Sequence, residues 1–557
     1  MDAVGVQRMA EPGRARPDTR PANRRLRISV IAFFFSAWLL ATALQVAGGC
    51  YRADFDGHPD EAAHYITGLM VHDYLLSGNL LHPMAYAENY YVHYPKVAIG
   101  HWPPMFYVVQ ALWMLLFGTS RVSILLLMSA ITGGTAAVMF FAGRLLAGPW
   151  WSAGAAAVFV CVPMVQANTG MVMAESLLAL GGLLAAYFFG RYLETGEVKH
   201  AISFGAWSAI TILVKGNGWA LALLPPLALV LSHQWRKLLD WRLWSAAPVA
   251  ALVIPWQILT MRMVENGWEW PWGLSYIRAS VSSFGPAIAG TLGLGILLLV
   301  LLGLLGLVFP RLNEPRCVPM LSSIGALALA TLLFHAVVPA NIEGRRLILA
   351  LPAMLLMAAY GVARLGQLAG SRLATGLALA AAAWFALRVF TIPQKPADCS
   401  SDQARLAMEL APGSSDRLLV AGSSSSEGAF IAEVAQREKR PGRFVLRASK
   451  VLMDSAWSGA GATLRYSVGM AEQELESWGI RAIVIGPDGS ESLPSLTLAR
   501  SIVNAYPDRW KPVASLIRCG NAPSVFRYAR PLRPDPSPVE ADLSRMLGRK
   551  ISSTPAK

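Results

Sequence analysis

The sequence predicts a polytopic α-helical membrane protein with a small α/β domain at its C-terminal end, on three observations. The 557-residue chain has a mean hydropathy of +0.44 and only 15% charged residues, too apolar for a soluble chain of that length. Apolar runs approaching the ~20 residues that cross a bilayer recur between 28 and 391. From Pro393 onward, short β-branched runs alternate with amphipathic helical spacing, the pattern of a small α/β unit. The formal charge of +14 is not a nucleic-acid footprint, because the arginines sit in short loops between apolar runs.

Residues 1–27 are rich in Arg and Pro without apolar periodicity and read as a cytoplasmic tail. The first span runs from Ile28 to Gly49, with Arg24, Arg25 and Arg27 holding its start inside. The AGGC ending at Cys50 is a poor match to a lipoprotein cleavage site, since the apolar stretch is long for a signal segment. An outer loop then covers 50–120. It opens with DFDGHPDEAAHYITGLMVHDY (54–74), which is very polar for this chain. Pro59 marks a helix start, so Asp60 and Glu61 fall in the first turn, and Asp60 and His64 share a face. A carboxylate beside an imidazole at a membrane surface suits a general base. Equally, acidic residues after such a proline stabilise a helix N-terminus.

The segment 102–118 is apolar, but at ~1.5 Å per residue it is only ~25 Å long, short of a ~30 Å hydrocarbon core. Placed at the outer surface, it leaves further spans at 121–143, 150–168, 174–190, 200–214, 217–231, 243–263, 286–309, 319–339, 347–363 and 373–391. Arg144, Arg191, Lys199, Arg236, Lys237, Arg242, Arg311, Arg316, Arg364 and Arg372 then all lie inside, as short cytoplasmic loops prefer. This gives about eleven spans, with the N-terminus inside and the C-terminus outside. The outer face gathers the 54–74 stretch, Lys96, His101, Glu175, Lys215, a Trp-rich loop at 264–284 and the doublet Arg345–Arg346. Ionisable groups at membrane depth are costly and point to function. Headgroup anchoring also accounts for the arginines, and an interfacial aromatic belt for Trp268, Trp270 and Trp272.

In the C-terminal part, 417–422, 443–449 and 480–486 read as buried strands, with two more in VASLIRC and FRYAR. SSSSEGAF (423–430) fits an anion site at a helix N-terminus, but a solvated polar loop fits better. Five cysteines lack metal-type spacing, and Cys399 and Cys519 are placed to pair in an oxidising compartment. No N-x-S/T sequon occurs in this region, which favours a bacterial inner membrane with the domain outside.

Four stretches resemble the GT-C superfamily of membrane glycosyltransferases, in particular its protein O-mannosyltransferase and aminoarabinose–lipid A transferase branch. HPDEAAHY (58–65) is similar to the Asp-Glu motif of the first outer loop. GHWPPMFYVVQALWMLLFG (100–118) is similar to the following Pro-Pro-aromatic juxtamembrane helix, Arg121 fits the opening of the next span, and EGRRLILALPAML (343–355) is similar to an Arg-x-Leu-x-x-Pro segment. The resemblance covers about 50–395, and with the composition shifts it divides the chain into a tail (1–27), a GT-C-like transferase domain (28–392) and an extracytoplasmic α/β domain (393–557), the last read from its strand and helix alternation and not matched to the family.

It further implies a polyprenyl-phosphate-linked sugar as donor and a lipid, glycan or protein acceptor. Asp60 takes the position of the catalytic base, with Glu61 beside it and His64 and Tyr65 in support. Glu175 takes the second acidic position. Arg345, Arg346 and Lys215 face the donor phosphate, together with Lys96 or His101. Trp102 intervenes between His101 and the two prolines, so which of the two cations serves is open. The implied transfer inverts the donor's anomeric configuration. No metal is demanded, although the carboxylates could hold a divalent ion. The competing readings are a transporter or lipid flippase, for which no inverted repeat is visible, and a non-catalytic envelope-assembly protein.

Overall fold

In the computed structural model, residues 20–78, 81–266, 271–309, 315–454, 463–487, 493–515, 523–532, 536–542 and 550–553 are described. Among them eight helices are long and apolar enough to cross a bilayer, and a ninth span is formed if the bent pair Pro149–Cys161 and Pro163–Thr169 counts as one. The chain is a multi-pass membrane protein. Length and composition therefore give fewer spans than the expected eleven. The expected spans at 200–214 and 217–231 are the 17-residue helix Val198–Val214 and a 3-10 turn running into the short Leu224–Leu231 helix. Each is shorter than the other spans because Lys215 and the Gly216–Asn217–Gly218 turn divide the apolar run, yet together they run between the two ends of Glu175–Thr195, Lys215 meeting Glu175 at one end and Lys237 meeting Leu193 at the other. The segment expected at the surface is the 13-residue Met105–Phe117 helix, ~20 Å long and too short to span. It packs on the Pro59–Leu76 helix.

Three helices carry the site in one direction. Glu175 opens the Glu175–Thr195 helix, Lys215 follows the end of Val198–Val214, and Arg345 and Arg346 stand just before Leu351–Ala369. At ~1.5 Å per residue the 21-residue Glu175–Thr195 helix is ~30 Å long, so its two ends mark opposite membrane faces. Arg144, Arg191, Lys199, Arg364 and the basic 236–242 stretch lie at the ends remote from Glu175. Arg311 and two tryptophans of the Trp-rich loop, Trp268 and Trp270, lie outside the described residues.

The C-terminal part is the expected α/β unit. Its five-stranded sheet has the spatial order Phe444–Arg447, Arg417–Ala421, Ile480–Ile485, Pro523–Tyr528, Trp510–Ser515. The first three strands are parallel and the last two antiparallel. Strand alternation splits its residues between two cores. Leu418, Val420, Ala482 and Val484 join the core shared with the membrane domain, while Leu419, Ala421, Ile483 and Ile485 face a separate outer core. The helix Ser424–Arg437 lies on the inner face, and its Phe430, Ile431 and Val434 share that core with Tyr65, Ile66 and Leu69 of Pro59–Leu76.

The SSSSEGAF stretch is therefore not a polar loop. Ser423 caps the helix, its side chain accepting the Ser426 N–H at 3.1 Å, and Glu427 is buried in the first turn. Cys399 is disulfide-bonded, and Cys50 and Cys161 are free thiols. Cys519, its expected partner, lies outside the described residues.

Candidate functional site

The Pro59–Leu76 helix begins as its sequence suggests, with Pro59 at the first position. The residue that caps it is His58, whose Nδ1 accepts the Asp60 backbone N–H at 3.1 Å. With the capping role filled by His58, the Asp60 carboxylate, its Oδ2 3.6 Å from His58 Nδ1, is not needed to cap the helix. Its Oδ2 accepts a hydrogen bond from Arg345 Nη2 at 2.9 Å.

Arg345 is the hub of a charged cluster. Its Nη1 lies 3.2 Å from Glu175 Oε1, and its Nε pairs with Glu343. Lys215 Nζ donates to the same Glu175 oxygen at 2.6 Å. The backbone explains the convergence. Lys215 is the extended residue at which one helix stops, and Arg345 sits in a 3-10 turn, so both side chains reach beyond their helix ends toward Glu175. Arg346 Nη1 donates to Asn217 Oδ1 at 3.3 Å, while Arg346 Nε and Asn217 Nδ2 have no hydrogen-bond partner. Arg346 is thus the cation of this cluster that no carboxylate among the described residues holds.

Burial works to raise the Asp60 pKa, but the nearby Arg345 guanidinium outweighs it and keeps the carboxyl below its usual range. Asp60 is ionised at neutral pH. His64, one turn on, is fully buried and pushed down to about 3 by that burial, so it is neutral. Its Nδ1 shares a 3.0 Å hydrogen bond with the Tyr107 hydroxyl, its ring lies 4.2 Å from Trp102, and its Nε2 has no partner. His101 is lowered by burial to about 4 and is neutral as well, so it offers a hydrogen bond and no cation.

Three expected site residues are not brought to this cluster. Glu61 is completely buried, its Oε1 2.5 Å from Lys395 Nζ and its Oε2 accepting the Gly57 N–H at 3.0 Å. Tyr65 donates to the Thr119 carbonyl at 2.6 Å and stacks on Phe55. Lys96 donates to the Ser424 carbonyl at 2.9 Å and its hydroxyl at 3.2 Å, facing the outer domain. That environment lowers its pKa to about 7, through burial first and then Arg447. Arg121 likewise bridges Asp54, at 2.5 Å, to Glu433, at 3.3 Å.

Sequence reading missed His58 as the cap, and Glu343, Asn217 and Lys395 as partners. Glu343 and Asn217 stand next to residues already singled out. Lys395 lies alone in a Pro-rich connection, where no pattern marks it.

A divalent ion does not fit these residues. Among the described residues no group of three or more His, Cys, Asp or Glu is placed to hold a metal. Asp60, Glu175 and Glu343 converge on Arg345, so a guanidinium already stands where their charge is met.

Residues 101–258 match the family model for dolichyl-phosphate-mannose-protein mannosyltransferase. The search of curated proteins gave no match. Among solved structures, the apo state of ArnT from Cupriavidus metallidurans is similar at TM-score 0.53, with 15% identity over 91% of this chain and 98% of that one. The apo form of the Archaeoglobus fulgidus oligosaccharyltransferase is similar at TM-score 0.51, with 11% identity over 84% and 72%. The arabinofuranosyltransferase AftD from Mycobacteria is similar at TM-score 0.51, with 16% identity over 90% of this chain and 41% of that one. The chain has the GT-C fold of these membrane glycosyltransferases.

Proposed function

We propose that this GT-C-fold chain is a glycosyltransferase that moves a sugar from a polyprenyl-phosphate donor to an acceptor hydroxyl, at the membrane face bearing Asp60. The observation that carries this reading is an ionised carboxylate relieved of helix capping and aimed into a cluster of Arg345, Lys215 and Arg346. The family model supports a lipid-phosphate donor, and the ArnT above is also known bound to undecaprenyl phosphate.

In this reading the acceptor oxygen attacks the anomeric carbon as Asp60 takes its proton, and the bond from that carbon to the phosphate oxygen breaks. The leaving polyprenyl phosphate carries away the electron pair, its charge met by Arg346 and Lys215. A phosphate that arrives near Arg345 competes with Asp60 for the guanidinium and so restores basicity to the carboxylate. In-line displacement inverts the sugar. His64 and Tyr107 position the acceptor side of the pocket as neutral groups. The cluster faces the extracytoplasmic side, because the basic loops lie at the remote helix ends. A reporter fused after Ala397 is accordingly expected to read extracytoplasmic.

Supplying the purified protein with a polyprenyl-phosphate-linked sugar and a membrane extract as the source of acceptor hydroxyls tests this. Release of polyprenyl phosphate is expected, and Asp60→Asn is expected to lower it by at least ~10²-fold with donor still bound. Near-normal release by Asp60→Asn removes the base from the mechanism.

A further inference from the structure

At the membrane face remote from Asp60, the chain leaves the Leu224–Leu231 helix through His233, the one non-glycine described residue with a left-handed φ (55°). That turn continues into the short 3-10 segment Trp235–Leu239 and borders an open surface depression of about 450 Å³ lined by His233, Gln234, Trp235, Arg236 and Lys237. Its position is fixed by Lys237, whose ammonium donates to the Leu193 carbonyl at 2.7 Å, at the end of the helix that Glu175 opens.

Two properties of this turn are unused by the transferase reading. First, its positive charge is unmatched. Lys237 is spent on helix-end carbonyls, but Arg236 is exposed, rests over the Trp235 ring at 5.6 Å and pairs with no carboxylate among the described residues. By contrast Arg191 and Lys199, on the same face, are paired with Glu194 and Glu197. Second, large apolar side chains stand outward beside it: Trp235 at 58% exposure, Leu239 at 87%, Trp241 at 68% and Trp244 at 59%. Tryptophans and leucines presented around an unpaired arginine at the end of membrane helices suit the boundary between acyl chains and headgroups.

We propose that this turn binds the headgroup of an anionic phospholipid of the surrounding bilayer. The phosphate is met by Arg236 and His233, and the acyl chains lie along Trp235, Leu239 and Trp241. Charge complementarity and continuity with the apolar spans select a lipid over a soluble anion, which would leave the exposed aromatic rim unoccupied.

The test is native mass spectrometry of the detergent-solubilised full chain with phosphatidylglycerol, phosphatidylcholine or inorganic phosphate at equal concentration. Wild type is expected to retain phosphatidylglycerol over phosphatidylcholine, and Arg236→Gln to lower that retention about five-fold, the scale of one basic contact at an anionic surface. Arg191→Gln, which removes an already paired charge on the same face, is expected to change nothing. Size-exclusion profiles check that each variant is folded, as the exposure of Arg236 leads one to expect. Equal retention of the two lipids, an unchanged Arg236→Gln, an equal loss in Arg191→Gln, or displacement of the lipid by equimolar phosphate each overturns the proposal.

Discussion

Asp60 and Glu61 are neighbours on one helix, both ionisable and each within 3 Å of a cation, yet they belong to different regions of the molecule. Asp60 faces the cluster around Arg345, where its side chain keeps 23% exposure and buried donors on Arg346 and Asn217 have no partner. Glu61 faces the seam with the outer domain, where it is sealed at 0% exposure against one lysine and one backbone N–H. The same seam holds Asp73 against Arg440, at 2.7 and 3.1 Å, and Tyr94 against Glu438 at 2.6 Å. A charge pair with spare donors and access can receive a ligand. A closed, satisfied pair can only hold parts together. The difference separates chemistry from architecture within a single helical turn.

The seam is where the largest loss of stability is expected. Lys395→Ala leaves the Glu61 carboxylate buried without a cation, a change on the order of 3–5 kcal/mol. Thermal unfolding of the purified variant should show it, and the double change Glu61→Gln with Lys395→Met should recover most of it, because a matched neutral pair carries no orphan charge. A loss below ~1 kcal/mol would mean that the seam does not depend on this pair.

The open cluster should behave otherwise. Arg346→Ala removes a cation that no carboxylate among the described residues uses, so donor-lipid affinity is expected to fall about ten-fold with little change in melting temperature. Arg345→Ala, which strands Asp60 and Glu343 and leaves Glu175 to Lys215 alone, should lose both stability and transfer. Equal melting losses for the two arginines would erase the distinction drawn between them.

A smaller, pH-dependent effect belongs to Asp56, on the seam side. Burial first, and the nearby Glu61 carboxylate next, raise its pKa to about 6. The folded state therefore binds more protons than the unfolded one between the ordinary carboxylate range and pH 6. Its contribution to stability is full below ~4 and is lost as pH rises through about 6. Asp56→Asn should flatten the dependence of melting temperature on pH across that interval; an unchanged slope would assign the dependence to another group.

Much of this arrangement is legible in the sequence where local chemistry dictates it. Apolar length marks the main spans, Pro59 marks the helix start, and strand alternation places Leu418 and Val420 opposite Leu419 and Ala421. The Asp60, Glu175, Lys215 and Arg345 set is visible because charges at membrane depth are conspicuous. What the sequence does not show is direction. Asp60 and Glu61 are indistinguishable as a pair of letters, and the ~100° between successive helical positions sends one to each region. Lys96 is one of the two cations that the family resemblance leaves open, yet Ser424 of the outer domain accepts its hydrogen bonds and holds it away from the cluster. Lys395 is invisible because its partner is 334 positions away and nothing periodic surrounds it.

The most direct measurement is sugar transfer by Asp60→Asn and Glu61→Gln, each purified in the same detergent and normalised to its folded, donor-binding fraction. The open-versus-sealed account predicts that Asp60→Asn loses at least ~10²-fold in transfer per folded molecule, whereas Glu61→Gln loses stability but keeps transfer within a few-fold of wild type. Loss of transfer in Glu61→Gln with Asp60→Asn near wild type would contradict it, and would place the base on the sealed side of the helix.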